Sequence, residues 1–221
     1  LLPHIVIAID WMGRIALWYD RSTMVMLKMG RPREFDEDCV LDAVMETFWQ
    51  HGYEGTSTQN LVDATGLGRG SLYAAYSNKD GLFEQALRRY RLRSRANIER
   101  LEAFESPLAG IRDLMQRTIE EDISGGRRGC LVTNSAIEMA HRDPRIAALV
   151  AENFHIMAAG LRAAIENAQS AGEIPSHRDP EASALFLLTT IQGLRVIGRT
   201  TPPDRREMLF TVVEQALTSL H

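Results

Sequence analysis

At Ser106-Pro107, Asp143-Pro144 and Asp179-Pro180 this chain sets a capping side chain directly before a proline. A short oxygen-bearing side chain can accept the free N–H groups of a first helical turn, and proline at the next position loses nothing by lacking its own. Each pair therefore starts a helix. Gly125-Gly126 and Gly172 supply the matching stops. The last segment carries Leu209, Val212, Val213, Ala216, Leu217 and Leu220, an apolar stripe of helical spacing.

The front half is punctuated in the same way. Asp36 stands before an apolar face of Val40, Leu41, Val44 and Phe48, with Phe35 and Val40 placed as a hydrophobic staple and Gly52 as the stop. Thr56 and Gln59 have the spacing of a capping box for a short second helix ending at Gly66. A third short helix is expected from about Arg69 to Tyr76, and Asn78 caps a longer fourth one through Leu82, Phe83, Ala86, Leu87 and Tyr90. Another is expected near Cys130. No strand alternation follows Met29, so the expectation is an all-α fold of about nine helices.

The first stretch, "LLPHIVIAIDWMGRIALWYDRST", differs in style. It does not begin with methionine, has no basic leader, and Asp10 and Arg14 interrupt its apolar residues, so neither a signal peptide nor a membrane anchor fits. A surface strand or helix would explain it. The preferred expectation is a non-native or disordered extension over residues 1–28, with a front unit over 29–90 and a rear unit over 91–221.

Composition excludes several classes. The 45% hydrophobic and 24% charged residues of this 221-residue chain are ordinary for a globular protein, and no apolar run is long enough for a membrane helix. Cys39 and Cys130 lie far apart, without the spacing of a zinc site, and suit a reducing cytoplasm. No cofactor is expected. The net charge of −4 means that any contact with nucleic acid must rest on local placement.

The segment "GLGRGSLYAAYSNKDGLF" decides between a phosphate cradle and a turn. A dinucleotide fingerprint needs a third glycine where Ser71 stands, and a strand where "NLVDATG" reads as helix. Nor does G-K-[ST] occur. Glycines joining two short helices are what a helix-turn-helix requires. "HRDP", at His141–Pro144 and again at His177–Pro180, resembles a kinase triplet, but the glycine-rich loop and strand lysine are missing and helix capping explains both copies. No nucleophile, base and orienter line up, so no enzyme is expected.

From Gly30 to about Leu87, through "GYEGTS", "GLGRGSLY" and "NKDGLF" in order, the chain resembles the DNA-binding domain of the tetracycline-repressor (TetR) family. The rear half is similar only in helical organisation and in "GCLVTNSA". The resemblance implies a homodimer that represses transcription at a pseudo-palindromic operator on double-stranded DNA and leaves it when a small molecule binds the rear domain. A helical ligand-binding or interaction protein without DNA binding is the alternative.

Roles follow residue by residue. Thr56 and Ser57, at the start of the second helix, are expected to hold a phosphate. Arg69, Gly70, Ser71 and Tyr73 lie on the reading helix, with Arg69 and Tyr73 aimed at base edges or nearby phosphates. Tyr76 stands where phenylalanine is usual, and its hydroxyl needs a partner. By resemblance Lys79 clamps the backbone, while Arg31 and Arg33 can reach the adjacent groove from a proline-containing arm. Gly68 replaces a capping serine, and Ala75 a His or Tyr. Acidic residues outnumber basic ones here, so help is expected from Arg88, Arg89, Arg91, Arg93 and Arg95.

For an effector, Met115, Ile119, Cys130, Asn134, Phe154, Met157 and Phe186 are candidates, although such residues at helical spacing also build plain core. Cys130 follows Arg127 and Arg128 at a helix start, where positive charge would favour a thiolate open to electrophiles; the preferred expectation is a small buried hydrophobe, the commonest fate of a free cysteine. Leu185, Thr189, Gln192 and Val196, with Val213 and Leu217 of the last helix, form the expected dimer face.

Overall fold

The computed structural model describes residues 6–9, 15–19, 23–26 and 36–221. The chain divides into two units, Leu1–Asp36 and Glu37–His221. In the first, strands β1 (Val6–Ile9), β2 (Ile15–Tyr19) and β3 (Thr23–Met26) form an antiparallel meander, Val6 opposite Trp18 and Ala16 opposite Met26. Apolar and β-branched residues suit a pleated surface. The described parts of the opening stretch are therefore strand. Arg31, Arg33 and Phe35 lie outside the described residues.

The second unit is all-helical among the described residues: α1 (Glu37–Gly55), α2 (Thr58–Thr65), α3 (Arg69–Tyr76), α4 (Lys79–Glu102), α5 (Pro107–Ser124), α6 (Leu131–Glu138), α7 (Pro144–Ser170), α8 (Pro180–Gly198) and α9 (Glu207–Thr218), with a 3-10 turn at Pro203–Arg205. No helix among them is long and apolar enough to cross a membrane. The cap-then-proline starts form as read: Ser106 accepts from the Ala109 N–H at 3.1 Å, Asp143 from Arg145 at 2.8 Å and Asp179 from Glu181 at 2.9 Å. Asn78 likewise accepts from Gly81 at 2.9 Å.

Two local readings shift. Gly52 does break α1, with φ 74° and ψ 177°, but one more turn follows it to Gly55. The capping box of α2 is Ser57 with Asn60, not Thr56 with Gln59. Thr56 is 1% exposed and donates its hydroxyl to the Gly52 carbonyl at 2.6 Å, so the cap falls to the next residue.

The front core gathers Val44, Phe48, Leu61, Leu72, Leu82, Phe83 and Leu87, all buried, with the Phe48 and Phe83 rings edge to face at 4.9 Å. The rear core is built by α5, α7, α8 and α9 around Ile111, Met115, Leu161, Ile165, Leu187 and Val213. Helix α4 runs unbroken across the expected boundary near residue 90, supplying Leu87 to one core and Ile98 to the other. Any tilt of this one rod is shared by both halves.

Candidate nucleic-acid interface and effector cavity

Helices α2 and α3 meet at a turn opened by Gly66, at φ 68°. Tyr73 is held there by a 2.7 Å hydrogen bond between its hydroxyl and Thr58 Oγ1, and the Arg69 guanidinium lies 5.5 Å from the centre of its ring. Arg69, Gly70 and Ser71 are exposed along the first turn of α3. Gly68 caps that turn with no side-chain hydrogen bond, leaving backbone donors of the first turn uncapped by a side chain. Ser57 is exposed, with its hydroxyl engaged by Asn60.

Lys79 opens α4. Its Nζ lies 4.3 Å from the centre of the Tyr53 ring, and the Tyr53 hydroxyl donates to Asp80. Burial, together with Asp80, raises the Tyr53 phenol above its ordinary range and keeps it protonated. The α3–α4 turn is tight: a Cβ on Gly81 would fall 2.1 Å from the Tyr76 carbonyl oxygen. That close approach explains the glycine of "NKDGLF".

Several of the expected contacts are already engaged within the chain. Thr56 is turned inward, its hydroxyl spent on Gly52. Tyr76 is 8% exposed and finds its partner inside, donating to Glu37 Oε1 at 3.4 Å. Of the α4 arginines, Arg89 is forked onto Asp42 with a further bond to Asp38, Arg91 pairs with Glu152, and Arg93 with Glu121. Arg88 and Arg95 are exposed.

In the rear half Cys130, Phe154 and Met157 line one cavity, joined by Tyr90, Gln192 and Arg195. Cys130 is the N-cap of α6, 6% exposed, and Tyr90 donates its hydroxyl to Sγ at 3.6 Å. Burial raises the Tyr90 phenol, so it stays a donor. Arg195 is buried and pairs with buried Asp122 at 3.4 Å. Burial raises the Asp122 carboxyl, while Arg195 pulls it down. Arg128 is not free to activate the thiol: it pairs with Glu46 and stacks 4.1 Å from the Trp49 ring centre.

The other effector candidates fall elsewhere. Met115 and Ile119 are core. Asn134 donates to the Arg128 carbonyl at 3.0 Å, and Phe186 is 45% exposed on another face. Tyr90 and Arg195 were missed because each reads as an ordinary helix residue; the only hint was a charge set in the apolar run of α8.

The expected dimer face is corrected in part. Leu185, Thr189 and Val196 are exposed, but Val213 and Leu217 are buried in the rear core, and Gln192 accepts from Thr133 at 2.7 Å beside the cavity. The exposed apolar strip is instead Leu185, Phe186, Val196 and Ile197 on α8 with Met208 and Val212 on α9.

Comparisons with known proteins agree with this layout. Residues 40–86 match the model of "Bacterial regulatory proteins, tetR family", and residues 107–210 that of "Tetracyclin repressor-like, C-terminal domain". The chain is 34% identical over 185 residues to the HTH-type transcriptional repressor ComR of Escherichia coli (strain K12), covering 81% of this chain and 87% of ComR. It is 36% identical over 177 residues to the uncharacterised HTH-type transcriptional regulator YezE of Bacillus subtilis (strain 168), covering 78% of this chain and 91% of YezE. Among solved structures, a cysteine variant of the TetR family transcriptional regulator CifR, complexed with 26-base-pair double-strand operator DNA, is 31% identical with a TM-score of 0.76. That likeness covers 87% of this chain and all of CifR.

Proposed function

Because this chain belongs to the TetR family of transcriptional regulators, and is a regulator rather than an enzyme, we propose that it represses transcription as a cytoplasmic homodimer on a pseudo-palindromic operator. The observation that carries the reading is the exposed edge of α3, where Arg69, Gly70 and Ser71 stand beside a Tyr73 fixed by Thr58. Side chains held this way can meet base edges in the major groove, while Ser57 and Lys79 meet the phosphate backbone on either side. CifR bound to its operator supports the placement.

The dimer forms through the exposed strip of α8 and α9, since apolar residues on that scale ask to be covered. Two reading helices then stand about one turn of DNA apart, ~34 to 36 Å. The effector enters the cavity bordered by Cys130, Phe154 and Met157. An electrophile that alkylates Cys130 would add bulk there and favour a dimer spacing that no longer fits both half-sites. A noncovalent small molecule is the second reading, favoured by the deep burial of the thiol. A gel shift with DNA upstream of the chain's own reading frame, repeated at rising salt, tests the regulator. Absence of a salt-sensitive shift would favour an interaction protein without DNA binding.

A further inference from the structure

Helix α6 touches the cavity at one end and the reading unit at the other. Cys130, its N-cap, lines the cavity. At its last residue the Glu138 carboxylate reaches α1, where Oε2 accepts the Tyr53 N–H at 2.9 Å and Oε1 accepts the Glu54 N–H at 2.8 Å. Those donors are free because the left-handed Gly52 breaks α1 and begins a new turn, and the first N–H groups of a turn attract a carboxylate. Gly52 also makes room, since a Cβ there would lie 3.0 Å from Glu138 Oε2.

The residue so held is the one that supports Lys79. Tyr53 carries the Lys79 ammonium 4.3 Å from the centre of its ring and ties its hydroxyl to Asp80, the next residue of α4. The geometry points to Glu138 as the positioning residue for Lys79: its carboxylate fork transmits the position of α6, set at the cavity, to the phosphate clamp. The inference rests on the reading of Lys79 as a phosphate contact and of the Cys130 cavity as the effector site. A charge-assisted fork of two short hydrogen bonds is stiff and directional, so a shift of α6 moves Tyr53 rather than sliding past it. The neighbouring Arg142–Glu54 pair, at 2.8 Å and exposed on both sides, adds little constraint.

The test is a double-mutant cycle read on operator DNA across a range of salt, with wild type, Glu138→Ala, Lys79→Ala and the double variant. Glu138→Ala should weaken operator binding about tenfold, as the loss of charge-assisted hydrogen bonds would. The slope of log affinity against log salt should become shallower by about 0.9 for each phosphate that the protein no longer neutralises. The double variant should bind as Lys79→Ala does, within about twofold, because both changes disable the same clamp. Losses that multiply, or an unchanged salt slope, would show that Glu138 only braces the fold and would overturn the inference. Should wild type bind while Lys79→Ala changes nothing, there is no clamp to position and the inference falls with it. A wild-type chain that binds no operator DNA would instead refute the regulator reading, and with it this one. If Glu138→Ala does not fold, Glu138→Gln, which keeps the bulk and one acceptor oxygen, gives the same cycle at smaller amplitude.

Discussion

The indole N–H of Trp49 donates to the carbonyl of Gly129 at 3.0 Å, joining α1 of the reading unit to the residue just before Cys130. Arg195 approaches the same carbonyl from α8 at 3.4 Å. One backbone oxygen therefore takes bonds from α1 of the helix-turn-helix half and from α8, the helix that carries much of the exposed apolar strip.

Trp49→Phe keeps an aromatic ring at this position but removes the donor. It should cost about 1–2 kcal/mol of stability, the usual loss for a buried hydrogen bond. Urea denaturation measures it, and an unchanged midpoint would mean that Arg195 alone satisfies the carbonyl.

The reading helix and its clamp should fail differently. Lys79→Ala should weaken operator and random DNA alike, whereas Arg69→Ala and Tyr73→Ala should each cost about 1–3 kcal/mol on the operator and relax its sequence preference. Titration against operator and scrambled duplexes separates the two. Equal losses on both duplexes for all three variants would remove the assignments.

Gly81→Ala should be poorly tolerated although the residue is neither catalytic nor part of the core. The added methyl would sit 2.1 Å from the Tyr76 carbonyl, so the α3–α4 turn must open. A cost of about 1–3 kcal/mol, as for other overpacked sites, should appear as a lower melting temperature together with weaker operator binding.

Cys130→Ser distinguishes the two effector readings. On the electrophile reading, N-ethylmaleimide should release operator from wild type and from Cys39→Ser, whose missing thiol is exposed and not part of the cavity lining, but not from Cys130→Ser. Mass spectrometry confirms which thiol reacted. Alkylated Cys130 with operator still bound would leave a noncovalent ligand as inducer.

Deletion of residues 1–28 should leave the melting temperature and operator affinity nearly unchanged, since the helical unit begins at Glu37. Thermal denaturation and gel shift of the shortened chain check this.

The sequence alone determined where α4, α5, α7 and α8 begin, because capping is local. Asn78, Ser106, Asp143 and Asp179 each find their N–H partner within three residues, so neighbours along the chain suffice to specify the start. The reading helix was legible for the same reason, its glycines and exposed side chains lying within one short segment. Only the tertiary structure decided which side of an apolar helix is covered. Val213 and Leu217 were as eligible for the dimer face as Val212, and packing against α5 and α8 put them inside and left Val212 out. Thr56 lost its expected cap to Ser57 because it is buried with its hydroxyl spent on the Gly52 carbonyl. The cavity needs Tyr90, Cys130 and Arg195 from three helices, and the Glu138 fork closes over 85 residues of chain. Contacts at such separations depend on how whole helices pack, and no periodicity within one helix encodes the face its neighbour presents.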